Sequence, residues 1–183
     1  MGPLLFIMYV NDFSRASALL FSILFADDTN VFIEGIRYED IIFNINNELE
    51  KISVWLGANK LCINVKKTHY MVFHRSKIKK NTDDVIMCNN KLTCTTSTKF
   101  LGLIIDNKLN WSEHIMYIKN KISKSVGILF KTRNYVDKTT LRNLYFTFIY
   151  PYLIYCVEIW GNARDIHLNP LIKTQKKVAQ NLY

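Results

Sequence analysis

The stretch LFSILFADDTNVFIEG, residues 20–35, contains the most informative pattern in this sequence. An apolar run leads directly into Asp27 and Asp28 and is long enough to form one buried strand. Beyond the two acids, Val31 and Ile33 fall at alternate positions, as they would in a second strand. The pattern predicts a β-hairpin that carries two carboxylates at its tip.

The chemistry of an Asp-Asp pair depends on its surroundings, and the sequence contains two such pairs. Asp83 and Asp84 lie in a polar stretch and are expected to be solvated. Asp27 and Asp28 instead follow an apolar strand. Two carboxylates fixed at the rim of a sheet can hold Mg²⁺ while water and phosphate oxygens complete its ligands. The alternative interpretation is an acidic turn that only separates the strands.

Length and composition indicate a small globular protein. The chain has 183 residues, enough for one folding unit or two closely packed subdomains. Apolar residues make up 49% and charged residues 21%, which excludes an intrinsically disordered chain. Residues 1–50 carry a net charge of −6, whereas the total is +9, so residues 51–183 carry +15. This asymmetry suggests cation binding in one place and polyanion binding in another.

The cysteines and apolar segments predict an intracellular protein. The sequence does not distinguish between nucleus and cytoplasm, and it does not determine the oligomeric state. No CxxC pair or matching histidine spacing occurs, so zinc is not expected and the thiols are expected to be reduced. The apolar N-terminal segment follows no basic residue and is not expected to be a signal peptide. Residues 144–157 are uncharged but too short for a bilayer and contain Pro151, which predicts a buried helix and no membrane partner. The cysteines are Cys62, Cys88, Cys94 and Cys156.

Two helices are predicted before residue 60. The first begins with Pro3 in its first turn. The second extends from Glu39 to Leu56, with apolar residues recurring at three and four positions and Gly57 placed to end it. The residues expected to face inward are Leu4, Phe6, Ile7 and Val10 on the first helix and Ile41, Ile42, Ile45, Leu49, Ile52 and Leu56 on the second.

Short strands are predicted beyond the second helix. Residues 61–65 and 70–73 have the composition of strands. Residues 75–98 are interpreted as a loop with one weak hairpin at 85–92, because Lys, Asn, Thr and Asp dominate there. Residues 99–106 are interpreted as a further strand that ends in a turn.

From about residue 110 the apolar period changes from two to 3.6, which predicts helices. The sequence therefore predicts an α+β fold, with a mixed part at 1–110 and a helical part at 111–183. The two apolar stripes are Ile115, Ile118, Ile122, Val126 and Leu129, followed by Leu141, Leu144, Tyr145, Phe148 and Ile149.

Lysines recur opposite the first of these stripes. Lys121, Lys124 and Lys131 are separated by three and seven positions, which ordinarily indicates a solvated helix face. In so basic a segment, contact with a nucleic-acid backbone is the other interpretation.

The four histidines show no ligand spacing and are assigned no role. Five aromatic residues able to stack on bases are expected to pack instead. They are Tyr135, Tyr150, Tyr152, Tyr155 and Trp160.

Five ordered blocks resemble the reverse transcriptases of non-LTR retrotransposons, in particular those of jockey-like and LINE-like elements. FADDT resembles the aromatic-x-Asp-Asp motif of these enzymes, and the other blocks resemble the segments before and after it, the primer-grip strand and a helix pair of the thumb. The resemblance implies an α+β fold in which part of a polymerase palm, an antiparallel hairpin sheet with packed helices, precedes an α-helical thumb. The blocks are GPLLFIMYVND at 2–12, FADDT at 25–29, ELEKISVWLGANKLCINVKKTHYMVF at 48–73, KFLGLIID at 99–106 and LYFTFIYPYLIYCVEIWG at 144–161.

The resemblance implies roles for individual residues. Asp27 would be a ligand shared by two Mg²⁺ ions, and Asp28 its less direct companion. Lys67 would approach the triphosphate and stabilise or protonate the leaving pyrophosphate, unless it is an ordinary surface lysine. Three residues of the primer-grip block would lie against the primer end, where a glycine lets the backbone come close. They are Phe100, Leu101 and Gly102.

The resemblance also implies RNA-directed DNA polymerase activity in the intact family enzyme, with an RNA template, a DNA primer and dNTPs as partners. That enzyme has a further catalytic aspartate on an earlier strand, whereas Asp12 is the only acid before the hairpin here. We therefore expect this chain not to polymerise alone, because two-metal phosphoryl transfer needs the complete set of carboxylates. Two alternatives stay open, a non-catalytic module that binds RNA or RNA:DNA duplex and a functionless retrotransposon relic.

Overall fold

The computed structural model describes residues 2–74 and 84–182. The chain divides into two compact units, Met1–Thr95 and Thr96–Tyr183. Each contains helices and short strands, which confirms the α+β class. The division lies before residue 110, because Leu103 and Ile105 pack with the helices of the second unit. Within the described residues, no helix combines the length and the apolar composition that crossing a bilayer requires.

The first unit contains two helices and six short strands among its described residues. Strands β1 and β2, and likewise β4 and β5, form antiparallel hairpins, whereas β3 and β6 pair in parallel. The helices are α1 (Gly2–Tyr9) and α2 (Tyr38–Ala58), with a 3₁₀ turn at Phe13–Arg15. The strands are β1 (Phe21–Phe25), β2 (Asp28–Phe32), β3 (His69–Tyr70), β4 (Ile86–Met87), β5 (Asn90–Lys91) and β6 (Thr93–Cys94).

The predictions between residues 61 and 98 are confirmed only in part. The weak hairpin at 85–92 exists as β4 and β5. Residues 61–65 form no strand, because a turn begins there in which the amides of Lys67 and Thr68 donate to Asn64 O. Residues 75–83, in the middle of the predicted loop, lie outside the described residues.

Helix α2 has the predicted apolar face but ends differently from the prediction. Ile42, Leu49 and Ile52 are buried along it. The helix passes through Gly57, and the residue with a left-handed conformation is Lys60, whose φ is 53°. The amide of Lys60 donates to Gly57 O and that of Leu61 to Leu56 O, the two hydrogen bonds of a Schellman motif. A lysine therefore takes the position that glycine usually occupies.

Helix α1 and strand β1 are less buried than the sequence predicts. All residues of α1 are described and none is buried, so the expectation that Leu4, Phe6 and Ile7 face inward is wrong. Since α1 is apolar all round, its sequence does not define one inward face. Strand β1 belongs to a two-stranded sheet that buries only one of its faces. Phe21 and Phe25 are consequently 67% and 60% exposed.

The core of the first unit lies between α2, the hairpin β1–β2 and β4. The buried ring of Phe13 meets the partly buried ring of Trp55 edge to face, with their centroids 5.2 Å apart. The buried residues are Phe13, Leu20, Ile42, Leu49, Ile52, Val85, Met87 and Leu92.

The second unit is one antiparallel hairpin packed with five helices. The predicted stripe of α3 is confirmed, because all five of its residues are buried. Helix α7 contributes Leu171 and Val178 to the same core. The strands are β7 (Ser97–Phe100) and β8 (Leu103–Asp106). The helices are α3 (Ser112–Thr132), α4 (Lys138–Phe148), α5 (Tyr150–Ile154), α6 (Val157–Trp160) and α7 (Asp165–Leu182).

Two predictions in this unit are wrong. The single strand predicted at 99–106 is a hairpin, because the chain reverses at Leu101 and Gly102, which both have positive φ. The single buried helix predicted at 144–157 is divided among α4, α5 and α6. Pro151 lies in the first turn of α5, where its missing N–H is tolerated, so a new helix starts there.

Candidate metal and nucleic-acid site

The two acids of the FADD stretch lie at the turn of the hairpin β1–β2. Phe25 pairs with Asp28, so Ala26 and Asp27 form a two-residue turn and Asp28 begins β2. Ala26 has a φ of 52°, the sign that the first residue of a primed hairpin turn requires. Both acids are exposed, and neither has an ion pair within the described residues. The two carboxylates are therefore accessible to a cation.

Asp28 shares the outward face of this hairpin with phenylalanine side chains. Directly paired residues of antiparallel strands lie on the same face, and faces alternate along each strand. The pairs Phe21–Phe32 and Phe25–Asp28 thus share one face, and the first two rings lie 6.2 Å apart. Val31, on the other face, packs against the core. The acidic turn consequently adjoins an exposed aromatic surface.

A buried carboxylate fixes the segment that leads into the hairpin. Glu48 of α2 accepts hydrogen bonds from Lys51 Nζ and Ser17 Oγ, both at 2.6 Å. Ser17 Oγ in turn accepts from the amide of Leu20 at 3.1 Å. The bond from Lys51, and next that from Ser17, keep the pKa of Glu48 below its ordinary value, because both favour the charged form. Helix α2 thereby positions the start of β1, a role that the sequence analysis missed.

The donor set at the acidic turn suits a hard divalent cation but is small. Mg²⁺ is commonly held by one or two protein carboxylates, with water and phosphate oxygens as its other ligands. Asp27 and Asp28 can supply those two carboxylates. Among residues 2–74 and 84–182, no group of three or more His, Cys, Asp or Glu side chains is placed to hold a metal ion. The turn thus fits a metal that also binds a phosphate-bearing substrate.

Lys67 lies on an exposed turn of the same unit as the two acids. Its amide donates to Asn64 O at 2.9 Å, and its carbonyl accepts from His69 Nδ1 at 3.1 Å. The backbone of the turn is therefore ordered by local hydrogen bonds, while the ammonium group is solvated. This placement is compatible with a lysine that approaches the triphosphate and with an ordinary surface lysine.

The predicted primer-end residues form the turn of the hairpin β7–β8. Phe100 pairs with Leu103, so Leu101 and Gly102 form a two-residue turn. Tyr155, 54 positions along the chain, donates its hydroxyl to Leu101 O at 2.6 Å. Partial desolvation of the phenol, and next the Cys156 thiol, raise the pKa of Tyr155 above its ordinary value.

A second helical side chain contacts strand β8. The amide of Ile104 donates to His114 Nδ1 at 3.2 Å. His114 is buried beside Trp111 and Trp160, and this burial lowers the pKa of His114. Its Nε2 has no hydrogen-bond partner among the described residues. The sequence analysis assigned His114 no role, and the structure shows it as a neutral acceptor that holds the hairpin against α3.

The three lysines of α3 lie on its exposed face, as their spacing predicts. Lys121, Lys124 and Lys131 are all exposed, and Lys121 Nζ lies 5.5 Å from the centroid of the Tyr117 ring. They belong to the second unit, as does the turn at Leu101, whereas the acidic turn and Lys67 belong to the first.

Four of the five aromatic residues that were expected to pack are exposed. Trp160 is buried as predicted, at 3% exposed, whereas Tyr135 is 87% exposed. Tyr150 contacts the ring of Phe146 edge to face at 5.1 Å, and Arg142 lies 5.7 Å from the same ring. Tyr135 therefore does not pack as expected, whereas Tyr150 packs on Phe146 although it is 38% exposed.

Comparison with known proteins agrees with the resemblance of the five blocks. The chain is 26% identical over 188 residues to the probable RNA-directed DNA polymerase from transposon X-element of Drosophila melanogaster, an alignment covering 98% of this chain and 20% of that protein. It is 21% identical over 192 residues to the RNA-directed DNA polymerase from mobile element jockey of Drosophila funebris, covering 100% of this chain and 21% of that protein. The jockey polymerase of Drosophila melanogaster is 22% identical with the same coverage. The chain thus spans about a fifth of the length of these relatives.

No solved structure matches the chain. A family model described as Reverse transcriptase (RNA-dependent DNA polymerase) matches residues 1–105, which include both hairpin turns. Since this match covers more than half of the sequence, the chain belongs to the reverse transcriptase (RNA-dependent DNA polymerase) family.

Proposed function

We propose that this chain is part of an RNA-directed DNA polymerase, which adds dNTPs to a DNA primer on an RNA template. The observation that carries the proposal is the pair of exposed carboxylates, Asp27 and Asp28, on a hairpin turn inside the segment that matches the family. In this proposal residues 1–110 are the C-terminal part of the palm and residues 111–183 are the thumb.

Asp27 and Asp28 would hold the divalent metal that the family uses. When bound, Mg²⁺ neutralises charge on the phosphates and lowers the barrier to attack by the primer hydroxyl. Lys67 would donate a hydrogen bond or a proton to the leaving pyrophosphate, where negative charge develops. The exposed positions of all three side chains support access by a nucleotide.

One turn and one helix face would bind the nucleic acid. The turn at Leu101 and Gly102, together with Phe100, would contact the primer end. Lys121 and Lys124 of α3, with Lys131 about two turns beyond, would neutralise backbone phosphates. Such contacts do not depend on sequence and weaken steeply with salt.

The chain alone is expected to bind primer–template without extending it. Two carboxylates are fewer than a two-metal reaction uses, and the described residues contain no larger group of potential ligands. The test is template-directed dNTP incorporation by the purified 183-residue chain, with an RNA:DNA primer–template and Mg²⁺. If the chain incorporates dNTPs and Asp27→Ala abolishes this activity, the expected inactivity is contradicted and the polymerase assignment is supported. Failure to bind RNA:DNA duplex at any salt concentration would contradict the assignment itself.

Metal binding at the acidic turn can be measured separately, with Mn²⁺ as a paramagnetic probe. The double variant Asp27→Asn, Asp28→Asn should weaken Mn²⁺ binding by about tenfold, because it removes both anionic ligands. Asp12→Asn, which changes another exposed acid of the same unit, is the matched control and should leave the affinity unchanged. Equal effects of the two substitutions would show that Mn²⁺ binds elsewhere.

A further inference from the structure

The turn of the hairpin β7–β8 has an unfavourable backbone conformation. Leu101 has a φ of 45° and Gly102 a φ of 88°. The left-handed region is open to glycine but disfavoured for a bulky residue such as leucine, whose Cβ crowds the carbonyl. Strained residues of this kind persist only where surrounding contacts hold them, and they concentrate at ligand clamps. Leu101 therefore needs support from outside the turn.

Tyr155 supplies that support through two contacts. Its hydroxyl donates to Leu101 O at 2.6 Å. Its ring lies over Gly102 so closely that a Cβ at this glycine would come within 3.2 Å of Tyr155 Cε1. The positive φ of Gly102 thus favours glycine, and the tyrosine ring leaves little room for a larger residue. The two contacts fix both residues of the turn.

Tyr155 is itself held in place from the core of the second unit. Trp160, which is buried, donates its indole N–H to Tyr155 O at 2.8 Å. Cys156, between α5 and α6, has a φ of 52° and turns the chain at this point. The break between α5 and α6 therefore directs the Tyr155 side chain to the hairpin instead of continuing one helix. A continuous chain of contacts runs from the core through Tyr155 to the turn.

We propose that Tyr155 is a positioning residue that holds the turn Leu101–Gly102 in the shape that meets the recessed 3′ end of a primer on its template. The role of the turn rests on the proposed function, whereas the support of the turn by Tyr155 does not. His114, which accepts from the amide of Ile104, anchors the same hairpin from α3 at a second point.

The experiment compares Tyr155→Phe with Tyr135→Phe in the whole chain. Both substitutions remove one phenolic hydroxyl from the second unit, but Tyr135 is 87% exposed and lies between α3 and α4. Tyr155→Phe keeps the ring over Gly102 and should preserve the fold. Amide hydrogen exchange at residues 100–103 should become about fivefold faster in Tyr155→Phe, the loss expected for one hydrogen bond, and stay unchanged in Tyr135→Phe. If Tyr155→Phe leaves amide exchange at residues 100–103 unchanged, the claim that Tyr155 supports the turn is overturned.

Binding separates positioning from a general structural role. Tyr155→Phe should weaken binding to an RNA:DNA duplex with a recessed 3′ end by about fivefold and leave binding to a blunt duplex unchanged. Equal losses for both duplexes would show a structural role only. If the wild-type chain does not bind the recessed duplex, the proposed function is contradicted. If it binds the recessed and the blunt duplex equally well, the role of the turn is overturned.

Discussion

Glu48 is a charged side chain that is almost completely removed from water, and its partners determine how its loss affects stability. Glu48→Gln keeps the shape but weakens the hydrogen bonds from Ser17 and Lys51. The free energy of unfolding at pH 7 should fall by about 2 kcal/mol, most of it from Ser17, because the side chain of Lys51 is 57% exposed. Urea unfolding of both proteins measures the difference.

The same variant should show a defined pH dependence. The folded pKa of Glu48 is lowered, so its charged form stabilises the fold above the ordinary value of about 4.3 and this contribution is lost as the pH falls through the folded pKa. The difference between wild type and Glu48→Gln should therefore shrink on acidification. Glu50→Gln, an exposed neighbour on α2, should have little effect at either pH. A difference that is equally large at pH 7 and at pH 3 would contradict this account.

Single residues were predictable from the sequence where a local pattern fixed them. Asp27 and Asp28 fall at a hairpin turn, because an apolar run and an alternating run flank them directly. The end of α2 was placed at Gly57 because glycine usually has positive φ there, yet Lys60 takes that conformation. The bond between Ser17 and Glu48 joins residues 31 positions apart, and no local pattern signals it.

The exposed face of α3 gives a prediction at the scale of an element. If Lys121, Lys124 and Lys131 neutralise phosphates, the triple Lys→Gln variant should bind RNA:DNA duplex with a slope of log affinity against log salt reduced by about two to three. The physical reason is that each neutralised phosphate releases about 0.9 counterion on a duplex. Filter binding across a salt series measures the slope.

The control for this variant removes the same charge elsewhere in the second unit. Lys108, Lys173 and Lys176 are also exposed, and their triple Lys→Gln variant changes the net charge equally. A smaller change of slope in the control shows that the face of α3 is the contact. Equal changes in both variants would indicate only a general attraction of a basic protein to polyanions.

Elements were predictable where one period runs through them without interruption. The stripe from Ile115 to Leu129 gave α3 correctly. The hairpin β7–β8 was interpreted as one strand, because the apolar residues on both sides of Leu101 hide the reversal. Two-residue hairpin turns usually contain Asn-Gly or Gly-Gly, whereas in this turn leucine takes the first position and only the second is glycine. Tertiary contact with Tyr155 stabilises this turn, and the local sequence does not show that contact.

The whole molecule exposes two apolar surfaces in its first unit. One is α1, on which Leu5 and Met8 are 61% and 67% exposed. The other is the outward face of the hairpin β1–β2, with Phe21 and Phe25. A helix that is apolar all round is ordinarily buried, and large exposed apolar patches drive association. The sequence predicts these segments as core, whereas the described residues leave them uncovered.

We therefore expect the chain to self-associate at micromolar concentration. The variant Leu5→Lys should increase the monomer fraction in sedimentation velocity without changing the helix content, since Leu5 is not buried. Ile166→Lys, at a 74% exposed position of α7, is the matched control and should leave association unchanged. A wild-type chain that sediments as a single monomer over a wide concentration range and melts cooperatively would contradict this expectation. Equal improvement by Ile166→Lys would mean that added charge, and not the surface of α1, controls association.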